Sequence, residues 1–131
     1  LRAQETEVAS PKVIDWDKIE QKTVIPGFHG KFAHSNTMTF VLWEIDKGAV
    51  LPEHSHIHEQ VVHVYEGELQ VTVAGETTVL KGGMVGVIPS NAVHSGRALT
   101  NCRVMDAFYP LREDYMKGGA PSVLQGAMKR A

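Results

Sequence analysis

Along most of this chain apolar and polar positions alternate with a period of two, and glycine-containing turns cut the alternation into short segments. Leu69, Val71 and Val73 interleave with Gln70 and Thr72, as in a strand with one face buried and the other wet. Residues 60–65 are rich in β-branched side chains and predict a second strand, joined to the first through Glu66-Gly67-Glu68. Gly75 leads into a third, residues 77–80, and residues 38–45, bulky and aromatic, form another that ends at the Lys47-Gly48 turn. After the Lys81-Gly82-Gly83 turn come residues 84–88, a Pro89-Ser90-Asn91 corner, a short stretch around His94 and a last strand over residues 103–109. Strands this short, with turns about every ten residues, predict an all-β sandwich or barrel. Helix is confined to the ends: one turn over residues 14–19 capped by Asp15, and another over residues 113–117 before Gly118-Gly119 and a mobile tail. The expected organisation is an N-terminal arm and first strand region over residues 1–35, a barrel over 36–112, and a short helix and tail over 113–131.

Length and charge narrow the functional classes. A chain of 131 residues with 43% hydrophobic content can bury one core. Thirteen Lys and Arg against fifteen Asp and Glu leave no basic field for a phosphate backbone, so nucleic acid is excluded as the expected partner. A single cysteine, Cys102, rules out an intrachain disulfide framework, and its apolar surroundings predict a small buried residue rather than a nucleophile. No apolar run is long enough to span a membrane as a helix. The default expectation is a cytoplasmic location, or a periplasmic one if a leader was removed ahead of Leu1, where the chain begins without a Met.

The candidate chemistry is a metal site. Residues two apart on a strand share a face, which predicts His54 and His56 side by side. If the strand that opens at Gln60 returns alongside, its amide oxygen reaches the same point, and His94 supplies the fourth protein ligand. Three imidazoles and a carbonyl oxygen suit one divalent transition metal such as Zn, Ni, Fe, Co or Mn. His58 belongs to the connecting loop, facing solvent or supporting a ligand, while His63 faces away from Gln60. Glu53 and Glu59 are expected as rim charges, and Trp43 and Met38 as core or dimer packing.

Two glycine-anchored stretches carry a family resemblance. Gly48, His54, His56, Gln60 and Gly67 resemble the first cupin motif, with Gln60 in place of the usual Glu. Gly83, Pro89, Asn91, His94 and Ala98 resemble the second, with Asn91 replacing the usual Gly and Ala98 the usual Asn. The resemblance implies a double-stranded β-helix, a jelly roll with the metal inside the barrel. Asn91 suits the corner because Asn tolerates a left-handed conformation. Gln60 leaves a bound dication without an anionic protein ligand, so the site keeps more positive charge for an anionic substrate.

A narrower resemblance lies near the end of the chain, where a glutamine-bearing first motif is combined with Asp106, Phe108 and Arg112. This is similar to the KdgF type, cupins of pectin and alginate breakdown that convert 4,5-unsaturated monouronates to linear ketonised sugars. The resemblance implies that His54, His56, Gln60 and His94 hold the metal, and that Asp106, Phe108 and Arg112 are catalytic and substrate-contacting. Asp106 and Phe108 share a strand face, and Arg112 carries a planar fork that matches a carboxylate. A structural Asp106–Arg112 ion pair closing the barrel mouth is the alternative. Three functions follow: a uronate ring-opening enzyme acting on an anionic sugar, a metal-dependent dioxygenase of another small molecule, and a noncatalytic sugar- or metabolite-binding cupin. A homodimer paired through the outer sheets is expected.

Overall fold

The computed structural model describes residues 10–117. Among the described residues ten antiparallel strands form two sheets. In the first, β1 (Lys22–Ile25), β2 (Phe28–His34), β3 (Thr39–Ile45), β10 (Cys102–Tyr109), β5 (Glu59–Glu66) and β8 (Val85–Ile88) lie in that spatial order. In the second the order is β4 (Val50–His54), β9 (His94–Ala98), β6 (Glu68–Val73) and β7 (Glu76–Lys81). The crossovers between sheets wrap the chain into a jelly-roll barrel: the all-β architecture that the alternating pattern predicts, in the form that the cupin resemblance implies. The turn over Trp16–Lys18 is 3-10, capped by the Asp15 carboxylate accepting from the Asp17 N–H at 3.0 Å. One α-helix, α1 (Glu113–Met116), follows β10; the tail expected beyond residue 117 lies outside the described residues.

Register explains which side chains line the barrel. Val41, Trp43 and Ile45 of β3 point inward beside Val104 and Phe108 of β10, with Val62 and Val64 of β5 completing the wall. The strand region before residue 36 is a hairpin, β1–β2, joined to the sheet by β2 pairing with β3 from Phe28↔Ile45 to His34↔Thr39. A period-two reading of β2 is obscured at Gly30, which faces inward but carries no side chain. A Cβ there would sit 2.7 Å from the Trp43 ring, which fills the space instead.

Gly67, the last residue of the first motif, is needed on two counts. Its φ is +93°, and a Cβ would collide with the Asn101 carbonyl oxygen and approach Cys102 Sγ to 2.9 Å. Gly67→Ala should therefore lower stability by about 2 kcal/mol or more, read from urea denaturation. Gly75, with φ +85° but open space around it, is the control. An Ala at 67 that is no worse than one at 75 would mean that the Asn101 segment yields freely.

Candidate metal centre

His54 closes β4 and His94 opens β9, and the two are direct cross-strand partners. That pairing brings residues forty positions apart to one place. His56 arrives differently from expectation. It does not share a strand face with His54, because β4 ends at His54, where its partner β9 begins and no further ladder is available. Residues 55–58 form a loop instead, held by Asn91 N–H donating to the His56 carbonyl at 2.8 Å and by Ser90 Oγ donating to the Ile57 carbonyl. Asn91 has φ +66°, the left-handed corner its side chain tolerates.

The three rings are oriented alike. Their Nδ1 atoms lie 2.8, 3.1 and 2.9 Å from the carbonyls of Pro52, His58 and Ala92 respectively. A carbonyl only accepts, so each Nδ1 carries the hydrogen and each Nε2 keeps a bare lone pair. Nε2 of His56 and of His94 are buried without a partner, and one ring nitrogen from each of the three histidines lies within 4.8 Å of the others. Burial, assisted by the Arg112 charge and by the neighbouring imidazoles, pushes His54 down to about 4 and His56 down to about 3. His94 is also lowered, chiefly by burial. Three neutral imidazoles aimed at one point, two of them with orphaned nitrogens, fit a first-row divalent cation.

Around this cluster the barrel wall supplies the remaining candidates. Gln60 is buried at the start of β5, opposite Phe108, whose ring centroid is 5.8 Å from that of His56. Asp106 is buried two residues before Phe108 on the same face. Its Oδ2 accepts from Trp43 Nε1 at 2.9 Å, while Oδ1 has no hydrogen bond of good geometry. Burial raises the Asp106 carboxyl to about 6, opposed by the nearby Gln60 amide and the Trp43 N–H.

Arg112 does not pair directly with Asp106. Its Nε and one Nη donate to the two oxygens of Asp114 at 3.0 and 2.7 Å. The guanidinium, 2% exposed, lies 4.7 Å from the Phe108 ring centroid and 4.0 Å from that of Tyr115. The spacing of two favours Asp114 over Asp106 because α1 turns the chain back at that point, returning residue 114 to the guanidinium. Trp43, Asp114 and Tyr115 were not among the expected site residues. Tyr115 is buried against Phe32, Trp43 and Phe108, and so stoppers the barrel with a phenol that burial raises well above its usual range.

Inside the barrel a cavity of about 60 Å³ is lined by His54, Gln60, His94, Asp106, Phe108 and Arg112 among others. At one to two dozen Å³ per water, roughly, it admits a few waters or one edge of a sugar. A wider groove of about 720 Å³ lies outside, bordered by His56, His58, Tyr109 and again Arg112. His63 faces outward against Tyr65, and Glu53 and Glu59 are exposed at the rim.

A two-sheet β-barrel with a three-histidine cluster at its mouth defines a cupin, and this chain belongs to that family: residues 41–108 match the Cupin domain. Within the family it is similar to the pectin degradation protein KdgF of Dickeya dadantii, at 32% identity over 84 residues, 63% of this chain and 76% of the relative. The solved structure of KdgF from Halomonas sp. superimposes with a TM-score of 0.72 at 33% identity, covering 76% of this chain and 94% of that one. An RmlC-like cupin from Shewanella frigidimarina gives 0.76 at 30% identity, covering 81% and 96%. No helix among the described residues is long and apolar enough to cross a membrane.

Proposed function

We propose that this cupin is a metal-dependent enzyme that opens the ring of 4,5-unsaturated monouronates from pectin or alginate and ketonises the product. The observation that carries the reading is a buried carboxyl, Asp106, with one oxygen held by Trp43 and the other beside the Gln60 amide without a well-formed hydrogen bond, in a cavity that His54 and His94 also line. The likeness to KdgF proteins supports the substrate class.

The reaction is an isomerisation. The anomeric hydroxyl loses its proton as the C1–ring oxygen bond breaks, the ring oxygen becomes an enol, and a proton delivered to C4 converts that enol to a ketone. No oxidant enters. His54, His56, His94 and the Gln60 amide oxygen would hold a divalent cation, which when bound supplies Lewis acidity to a sugar oxygen. Asp106 takes and returns the proton through Oδ1, while the Trp43 N–H fixes Oδ2. Asp114 already occupies the Nε edge of Arg112, so a substrate carboxylate would use the remaining Nη N–H groups. The reacting edge enters the inner cavity and the rest of the sugar lies in the outer groove, with Arg112 bordering both.

The test is loss of the 4,5-double-bond absorbance of unsaturated galacturonate, or of the mannuronate/guluronate equivalent, by the metal-loaded protein without oxygen uptake. Oxygen consumption with a phenolic or diketone substrate would replace this reading with the dioxygenase. Sugar binding without turnover would replace it with the binding protein. Arg112→Lys should raise KM by roughly tenfold or more with a smaller effect on kcat, because an ammonium has no planar fork. A kcat defect at unchanged KM would place Arg112 in the chemistry rather than in binding.

We also propose a homodimer through the outer face of the six-stranded sheet. Val85 and Val87 on its edge strand β8 are 54% and 58% exposed, and their outward-facing neighbours across β5 are His63 and Val61. Sedimentation at micromolar concentration should give the dimer mass; a monomer would show that this face stays wet.

A further inference from the structure

His58 packs edge-on against the rings of His56 and Phe108, at centroid distances of 5.4 and 6.4 Å, and makes two polar contacts that join the halves of the site. Its backbone carbonyl accepts from Nδ1 of His56, fixing that ring's orientation. Its own ring reaches fifty-three residues along the chain to the Leu111 carbonyl, 3.1 Å from Nε2. Because a carbonyl only accepts, Nε2 carries the hydrogen and Nδ1 is left a bare acceptor, and this Nδ1 is buried with no partner. Burying an unpaired acceptor is unfavourable, and an apolar side chain would fill the same volume without that penalty. The ring contacts would survive an apolar replacement, so the bond to Leu111 is what the imidazole specifically adds.

Leu111 directly precedes Arg112, whose own N–H donates to Thr39 Oγ1 at 2.9 Å. We propose that His58 is a positioning residue that ties the loop bearing the metal-ligand candidate His56 to the loop bearing Arg112, fixing the separation between the cation and the guanidinium. It touches neither the metal point nor the reacting atoms. As regards substrate, the inference rests on the uronate reading; as regards the Arg112 loop, it stands without it. The consequence is a division of effects. Replacing the side chain keeps the backbone carbonyl on His56, so the metal should stay. The Arg112 loop loses its tether, so recognition of an anionic substrate should suffer.

The experiment compares metal-loaded wild type, His58→Gln and His58→Leu. The Gln amide nitrogen superimposes on imidazole Nε2 and can donate to Leu111; Leu cannot. The Arg112 Nε–H resonance, assigned by its loss in Arg112→Lys, should be sharp in wild type and His58→Gln and broadened or in faster solvent exchange in His58→Leu. Metal content should be equal in all three. With unsaturated uronate, His58→Leu should raise KM roughly tenfold, about the effect of one lost hydrogen bond, with kcat within about threefold, and His58→Gln should restore most of it. An unchanged Arg112 resonance in His58→Leu, failure of Gln to restore it, or loss of metal in His58→Leu would each overturn the tether. If wild type turns over no uronate, the functional reading fails, and the resonance comparison alone still decides the role of His58.

Discussion

Asp106→Asn should lower kcat by roughly 100- to 10,000-fold, the span over which positioned acid–base groups act, with metal content unchanged. The amide keeps the shape of the carboxyl, and its oxygen can still accept from Trp43 Nε1, but it cannot carry a proton between the sugar oxygen and C4. The metal should stay because the three convergent ring nitrogens are untouched. A second readout separates catalysis from folding. Asp106 has its folded pKa raised to about 6 from an ordinary 3.8, so its carboxyl favours the fold below pH 3.8 and this contribution is lost as pH rises through 6. Above pH 6 a charge is being held in an apolar wall. Asp106→Asn removes that burden, so the variant should be at least as stable as wild type at pH 8 while nearly inactive. Full activity would exclude the proton role, and loss of metal together with activity would instead place Asp106 among the groups that hold the cation.

The contrast between an inactive and a stable variant depends on Trp43, a contact that no local motif announces. Trp43 and Asp106 are sixty-three residues apart, and the hydrogen bond exists because β3 and β10 pair with Trp43 opposite Val104. Asp106 is then the diagonal neighbour, a position set by register and not by any local motif. Tyr115 and Asp114 escaped notice for a similar reason: a one-turn helix has no periodicity to read, yet it folds both back on Arg112. The strands from residue 38 onward were legible because one face of each is buried and glycines mark their ends. The hairpin β1–β2 was legible only as a first strand region, since Gly30 breaks the alternation where the Trp43 ring replaces a side chain.

The histidines were legible as a set and misjudged in detail. Spacing put His54 beside His56 and the second cupin-like motif added His94, and the three do lie together. The two-residue rule assigned the wrong cause, because a strand persists only while it has a partner, and β4 runs out of β9 at His54. His56 reaches the cluster through a loop that Asn91 pins. The Arg112 fork was read as free for a carboxylate, and Asp114 takes one edge of it, which leaves the guanidinium oriented but half engaged.

Acidification should release metal and fold together. Consider first the protein stripped by a chelator. His54, His56 and His94 have folded pKa values below the unfolded 6.5, so the stability they allow is complete above pH 6.5 and is lost as pH falls toward their folded values, about 4 for His54 and about 3 for His56. Between pH 6 and 3.8 Asp106 acts in the opposite sense, but one carboxyl opposes three imidazoles. The thermal midpoint of the stripped protein should therefore drop between pH 7 and pH 5, by on the order of 5 °C. Loading with a divalent transition metal at a thousand times its dissociation constant should add about 4 kcal/mol at neutral pH. Protons compete for the ring nitrogens only when the folded rings can accept them, and the folded rings resist protonation until well below pH 6. Bound metal should accordingly persist through pH 6, where an exposed histidine cluster would be giving it up, and should leave on the same acid titration curve as the circular dichroism of the sheets. Release near pH 6 from a protein that remains folded would show that these imidazoles titrate like surface histidines and that burial does not prepare them for the cation.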